Sequence, residues 1–310
     1  MKITLDIVGT PKGDAAIITL TNSRGASVVL SSIGAGIMEI NVPDRNGAVA
    51  DVVLGYKNIA DYLYDGPTMG KTPGRYANRI CHGRFSLDGK DYSLPVNCGP
   101  HHLHGGPEGF QNRLWKYDIG SDCVTFTLCS PDGDSGYPGE VVAEVTYRWS
   151  DDNTLTIDYR ASATAPTPLN MTNHAYWNLD GEGSGSAMGH VLQVEASAYV
   201  ETDETLAPTG TLREVKGTPM DFTEAKVVGR DIKEPLTLLC MARGMTIAML
   251  SMPMMAKGHC SKARNCTARY RGAGWLSKPP IRVCSYIPPT GLRAVHQRGG
   301  TEPTTRIMRL

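Results

Sequence analysis

Val141-Val142-Ala143-Glu144-Val145-Thr146-Tyr147-Arg148-Trp149, followed by Ser150-Asp151-Asp152-Asn153 and then Leu155-Thr156-Ile157-Asp158-Tyr159-Arg160-Ala161, is the stretch on which the fold turns. Val141, Ala143, Val145, Tyr147 and Trp149 alternate with Val142, Glu144, Thr146 and Arg148, a two-residue period. After the turn residues 150–153 the period resumes, with Leu155, Ile157, Tyr159 and Ala161 set against Thr156, Asp158 and Arg160. Side chains two apart share one face of a strand, so the pattern predicts a hairpin with one face buried and one wet.

Outward from this hairpin the same grammar holds. Val124-Thr125-Phe126-Thr127-Leu128 reads as a further strand, and Asp132-Gly133 and Ser135-Gly136 punctuate the loop after it. Ser27 to Val42 and Val49 to Gly55 are β-branched runs cut by Gly34, Gly36 and the turn Pro43-Asp44-Arg45-Asn46-Gly47. No stretch up to residue 235 carries a long, capped helical period. Many short strands with frequent turns predict an all-β antiparallel sandwich or barrel rather than βαβ units. Such a protein holds a ligand in a concave face or at loop ends, with polar side chains projecting from strands.

The 310 residues carry no net charge, which removes any general reason to expect nucleic acid or an anionic membrane as partner. No apolar run approaches the ~18–20 residues that span a bilayer. The segment Met1-Lys2-Ile3-Thr4-Leu5-Asp6 lacks the features of a signal peptide. Eight cysteines without a CxxC pair describe no disulfide framework. Reduced thiols in the cytoplasm are the expectation.

The zero sum hides an asymmetry. Residues 1–235 hold 19 Lys/Arg and 30 Asp/Glu, a net of −11. Residues 236–310 hold 12 Lys/Arg and one acid, Glu302, a net of +11, with four of the eight cysteines and seven of the thirteen methionines. Two units are therefore expected, a strand-rich one over 1–235 and a basic tail over 236–310.

Three segments set polar, hydrogen-bonding side chains beside glycine: Gly74-Arg75-Tyr76-Ala77-Asn78-Arg79-Ile80, Pro100-His101-His102-Leu103-His104-Gly105-Gly106, and Asn170-Met171-Thr172-Asn173-His174-Ala175-Tyr176-Trp177-Asn178-Leu179. Taken singly, each reads as well as a surface charge, an exposed histidine loop or a turn. Together they point elsewhere. Asn78-Arg79, the step Leu103 to Gly106 with Pro107-Glu108-Gly109-Phe110, Thr172 to Leu179, and Glu201-Thr202-Asp203-Glu204-Thr205-Leu206-Ala207-Pro208-Thr209-Gly210 resemble, in order, the signature segments of the aldose 1-epimerase (galactose mutarotase) family. The match covers roughly residues 1–235.

The resemblance implies a large antiparallel β-sandwich of the galactose mutarotase type. It also implies an activity, the interconversion of the α and β anomers of a hexose such as galactose or glucose. One group takes the proton of the C1 hydroxyl, another protonates the ring oxygen O5, and the opened chain rotates about C1–C2 before closing. By resemblance His174 is the acid at O5 and His104 a second donor on the ring-oxygen side. Asn78 and Arg79 bind sugar hydroxyls with Tyr176 beside them. An unperturbed imidazole titrates near ~6.5, so a nearby carboxylate is expected to keep the acid protonated at neutrality. No metal and no cofactor is expected, and the partner is the small aldose itself.

The base is missing. The family uses a glutamate near the C-terminus and an aspartate in a Gly-Tyr-Asp-His-like segment, and neither is legible after Pro235. Glu302, within Gly299-Gly300-Thr301-Glu302-Pro303, does not match. A frameshifted reading of the gene is the explanation expected for this. Met245-Thr246 requires ATG-ACN, whose inner triplet one base earlier is GAC, aspartate. Met254-Met255-Ala256 likewise yields Asp-Gly in that frame, and Gly244 to Gly258 then permits a string opening Gly-Tyr-Asp-His. The last strands of the sandwich are thus expected to be missing or aberrant, with weak stability and impaired activity.

Rival readings remain at this point. A basic appendage would use Lys257, Lys262, Arg264, Arg269 and Arg271 on nucleic acid, or Cys240, Cys260, Cys266 and Cys284 on zinc, but the charges follow no face and the spacings match no zinc module. A metal-dependent cupin would use His102, His104, Glu108, His174 and Asn178, yet Leu169-Asn170-Met171 stands where a glycine is expected. A non-catalytic carbohydrate-binding sandwich would keep the same polar residues without a base. A relative acting on phosphorylated hexoses would need a basic cluster around the motifs, and none is visible.

Overall fold

The computed structural model describes residues 1–234 apart from Glu195 and Lys233, together with the backbone of four short strands, Met249–Ser251, Cys266–Arg269, Ile281–Val283 and Thr304–Arg309. Glu302, the tail lysines and the tail cysteine side chains, to which the sequence assigned candidate roles, lie outside the described residues.

The predicted hairpin is present. Val141–Trp149 pairs antiparallel with Thr154–Ala163, with Val145 opposite Tyr159 and Trp149 opposite Leu155. Val141, Ala143, Val145, Tyr147 and Trp149 are buried while Glu144 and Arg148 are not, so the two-residue period has sorted the faces. Cys123–Ser130 and Lys116–Ile119 extend the sheet on one side. On the other side follow Thr304–Arg309, Ile281–Val283, Cys266–Arg269, Val191–Val194 and Lys226–Val227, making nine strands. Strands therefore occupy the place where the sequence suggested a gap, in pieces of three to six residues.

A second sheet of five antiparallel strands, Lys2–Thr10, Gly13–Thr21, Ser27–Ser31, Gly36–Pro43 and Val49–Asp51, packs on the first. Their inner faces form one core, where Ile18, Leu20, Val28, Leu30 and Ile40 meet Val124, Phe126, Val145, Tyr147 and Trp149. Each fully buried large side chain contributes roughly 1.5–3 kcal/mol. Two core aromatics, Tyr147 and Trp149, have their polar ends satisfied by backbone carbonyls. The Tyr147 hydroxyl donates to the Ala35 carbonyl at 2.7 Å and Trp149 Nε1 donates to the Ala26 carbonyl at 3.1 Å.

The β-branched run 27–42 is broken into two strands around residues 32–35. Gly34 there has φ 66°, and a Cβ would lie 2.6 Å from the Gln111 carbonyl, so only glycine fits. Helical turns among the described residues are short 3-10 pieces such as Ile59–Leu63 and Phe110–Asn112. Two two-stranded ribbons, Arg79–Ile80 with His102–Leu103 and Arg84–Leu87 with Lys90–Ser93, and a three-stranded sheet of Pro208–Glu214, Ala196–Thr202 and Met249–Ser251 complete the described fold.

Candidate active site

The three polar segments converge because residues 70–80 run between the other two. On one side Arg79 pairs with Leu103 and Ile80 with His102. On the other, the His174 N–H donates to the Lys71 carbonyl at 2.9 Å, the Gly70 N–H donates to the His174 carbonyl at 3.1 Å, and the Ala77 N–H donates to the Asn170 carbonyl at 2.9 Å. Arg75 anchors the central segment. It is 2% exposed and donates to Ser130 Oγ and to the carbonyls of Ser130, Pro131 and Pro138. Gly105 is needed where the segments touch, since a Cβ there would lie 1.8 Å from the Gly74 carbonyl.

This brings His104 and His174 together, ring centroids 5.3 Å apart and nearly perpendicular. Tyr176 adjoins His174 at 5.3 Å, half-exposed, with its hydroxyl donating to the Pro67 carbonyl at 3.1 Å. Asn78 and His104 both hold left-handed backbone, φ 71° and 54°, a strain that a functional position tolerates when its surroundings enforce it. They lock each other. The Asn78 N–H donates to His104 Nδ1 at 2.9 Å and the His104 N–H donates to the Asn78 carbonyl at 3.1 Å. With Nδ1 accepting, the ring hydrogen of neutral His104 is on Nε2, which makes that atom a donor.

Arg79 is half-satisfied. Its Nη1 reaches Asn78 Oδ1 at 3.5 Å and its Nη2 reaches Cys98 Sγ at 3.8 Å, but its buried Nε has no protein partner. A buried donor left unpaired costs about 1–3 kcal/mol, so the guanidinium is primed for an acceptor from a ligand.

Both imidazoles are less basic than usual, contrary to the expectation for His174. Burial pushes His104 down to about 3, with the charges of His174 and Arg79 adding to the effect. Burial also lowers His174, against smaller raising effects from its own carbonyl and from Asp65. Asp65 is itself committed, ion-paired with the buried Lys71 and accepting the Met69 N–H at 2.7 Å. The carboxylate expected to keep the acid protonated is thus present but spent, and burial wins.

The metal arrangement of a cupin is not assembled. His102 is fully buried, its Nδ1–H donating to the Pro95 carbonyl at 2.6 Å and its Nε2 accepting from the Tyr137 hydroxyl at 2.8 Å. No lone pair remains for an ion. Glu108 is on the surface, 3.9 Å from Lys12. The buried Lys71–Asp65 pair beneath His174 was invisible to motif reading. The one trace of it is a lysine inside the glycine-rich run Gly70-Lys71-Thr72-Pro73-Gly74.

A two-sheet β-sandwich carrying paired imidazoles beside an under-satisfied arginine defines the class of fold and site. The comparisons name the class. The aldose 1-epimerase family model matches residues 16–250, and the chain belongs to that family. Galactose mutarotase of Sus scrofa is 44% identical over 207 residues, 67% of this chain and 60% of that protein. Aldose 1-epimerase of Escherichia coli (strain K12) is 41% identical over 216 residues, 69% of this chain and 62% of that protein. The chain thus spans about three fifths of the length of these curated relatives. Among solved structures, the GalM/aldose epimerase homologue of C. elegans superposes with a TM-score of 0.73 at 30% identity, over 95% of this chain and 89% of that one. Galactose 1-epimerase of Lactobacillus acidophilus NCFM shares the fold, with a TM-score of 0.77 at 22% identity over 99% and 97%.

Proposed function

We propose that this chain binds a hexose such as galactose or glucose and interconverts its anomers as an aldose 1-epimerase. The observation that carries the reading is the His104–His174 ring pair at 5.3 Å beside the unpartnered Arg79 Nε. A pyranose offers ring and hydroxyl oxygens as acceptors, matching a neutral His104 Nε2–H and the Arg79 Nε–H. In this reading His174 delivers the proton to O5, His104 donates on the ring-oxygen side, Asn78 and Arg79 hold hydroxyls and Tyr176 lines the same wall. No metal or cofactor takes part.

The proton has to reach a site that disfavours charge. His174 resists protonation until a substrate or a carboxylate offsets its burial, and Asp65 already serves Lys71. The base that removes the C1 proton is not assigned to any residue, and the tail, read as frameshifted, is the reason. The chain is accordingly proposed as a sugar binder with impaired turnover, acting in the cytoplasm. Four described cysteines, Cys81, Cys98, Cys123 and Cys129, are free thiols, and among the described residues no helix is long and apolar enough to cross a membrane.

Polarimetry of freshly dissolved α-galactose with the purified chain tests the reading, alongside galactose binding by calorimetry. Binding with a small but measurable acceleration is expected. Rates like those of a complete family enzyme would refute the missing base, and absence of binding would refute the site. Sequencing the gene across the codons for 233–258 tests the frameshift: codons at 243–258 that, read one base earlier, do not spell Gly-Tyr-Asp-His and the string after it would overturn it.

A further inference from the structure

We propose that Cys81, His82 and His101 form a binding site for a thiophilic divalent transition metal, zinc being the borderline-soft ion suited to one thiolate and two imidazoles. The three ligand atoms lie within 4.8 Å of one another. The rings of His82 and His101 have centroids 5.4 Å apart. Neither His82 nor Cys81 takes part in the sugar site, and the proposal does not rest on the epimerase reading.

The two strands of the Arg79–Ile80 and His102–Leu103 ribbon create the cluster. Ile80 leads directly into the turn Cys81–Gly83, while His101 immediately precedes His102 on the antiparallel partner. Register therefore forces residues 81 and 82 next to 101. His82 stands in left-handed backbone, φ 52°, and both it and Cys81 are exposed, while His101 is 1% exposed beneath them. One rigid ligand with two adjustable ones lets the group contract. Zinc–sulfur and zinc–nitrogen bonds of ~2.3 and ~2.0 Å put ligand atoms roughly 3.5 Å apart, so the side chains close by about an ångström.

The tautomer of His101 favours an ion on the correct nitrogen. Thr205 Oγ1 donates to Asp203 Oδ1 at 2.6 Å, so at its 2.6 Å contact with His101 Nε2 the hydroxyl oxygen accepts. The His101 hydrogen is therefore on Nε2, and the lone pair is on Nδ1. That lone pair faces the cluster, where it accepts the His82 N–H at 3.1 Å. Metal-binding histidines commonly donate their second N–H to a carboxylate or carbonyl that fixes the ring, and the chain His101–Thr205–Asp203 has this form. His102, one residue on, differs because both its nitrogens are committed inside the core.

Binding replaces one hydrogen bond and releases an N–H on an exposed residue that water can satisfy. The Cys81 thiol gives its proton to solvent as the sulfur–metal bond forms, leaving the thiolate as ligand. Water completes the fourth position, since Cys81 and His82 face solvent. A bound ion would brace the ribbon whose strands carry Arg79 and lead into His104.

The test is a titration of the reduced full-length chain with Co2+, read by the thiolate-to-cobalt charge-transfer band in the near ultraviolet and by displacement with Zn2+. We expect one equivalent to produce the band, Cys81→Ser to abolish it, and His82→Asn to weaken binding at least 10-fold. Asparagine tolerates left-handed backbone, so the turn is kept, and urea midpoints within error of the parent verify that both variants fold. No band in the parent overturns the proposal. So does a band that survives Cys81→Ser, which would place the ion on other cysteines, or unchanged affinity in His82→Asn.

Discussion

The hairpin Val141–Ala163 and the segment 70–80 represent opposite solutions to burying a chain, and Arg75 ties the segment to Ser130, Pro131 and Pro138 on the stretch leading into the hairpin. The hairpin buries apolar side chains on one face, and its backbone bonds are supplied by neighbouring strands. The segment 70–80 buries Lys71, Thr72 and Arg75, with their polar groups satisfied across the chain, and includes Asn78 in strained backbone. The first region holds the molecule together at little cost in polar desolvation. The second spends stability to keep imidazole and guanidinium groups dry. Stability and the polar site groups are thus lodged in different stretches.

The sharpest way to break that division is to damage the hairpin alone. Trp149→Ala removes a side chain 2% exposed and its bond to Ala26, and is expected to cost about 3–5 kcal/mol in urea unfolding. A loss below about 1 kcal/mol would mean that the core is not where the folding energy lies. The complementary change, His174→Ala, should remove the small acceleration of mutarotation proposed for the parent while the urea midpoint barely moves. A large fall in stability would show that the imidazole is structural.

A smaller effect separates the regions by pH. Asp51, on the edge strand Val49–Asp51, is raised from 3.8 to about 6, mainly by burial, with Glu39 and Glu182 adding to it. The folded state then binds its proton more tightly than the unfolded chain. Its contribution is most favourable below about pH 4 and is lost as pH rises through about 6. His104 has the opposite sign. Its folded value of about 3 lies under the unfolded 6.5, so its contribution is present above 6.5 and is lost as pH falls toward 3. Asp51→Asn should therefore flatten the decline of stability between about pH 4 and 6, and His104→Gln should flatten the acid-side loss. Urea midpoints across pH 4 to 8, compared with the parent, read both; identical profiles would remove the assignments.

Much of the fold was legible because strand periodicity is local. Glu144 and Arg148 turned outward where alternation put them, and the turn residues 150–153 closed the hairpin. The site residues were legible as an inventory, through resemblance, and His104 with His174 do meet. Their electrostatics were not legible, because a pKa depends on what surrounds a ring in space. Burial lowers the basicity of His174, and no motif announces it. Lys71 and Asp65 were missed since neither belongs to a motif, and their pairing across six residues depends on how the 62–72 stretch folds back.

By itself the order of residues determined a sheet protein, with a buried stripe that any two-residue period must turn to one side. It also determined the inventory of histidine, arginine and asparagine side chains beside glycine. The fate of each histidine was decided only in three dimensions. His102 and His104 stand two apart, and an unbroken strand would point them the same way. Left-handed backbone at His104 ends that rule, sending one ring into the core against Tyr137 and the other to His174. Burial then removed the charge from both, because a medium poor in water stabilises an imidazolium less than solvent does.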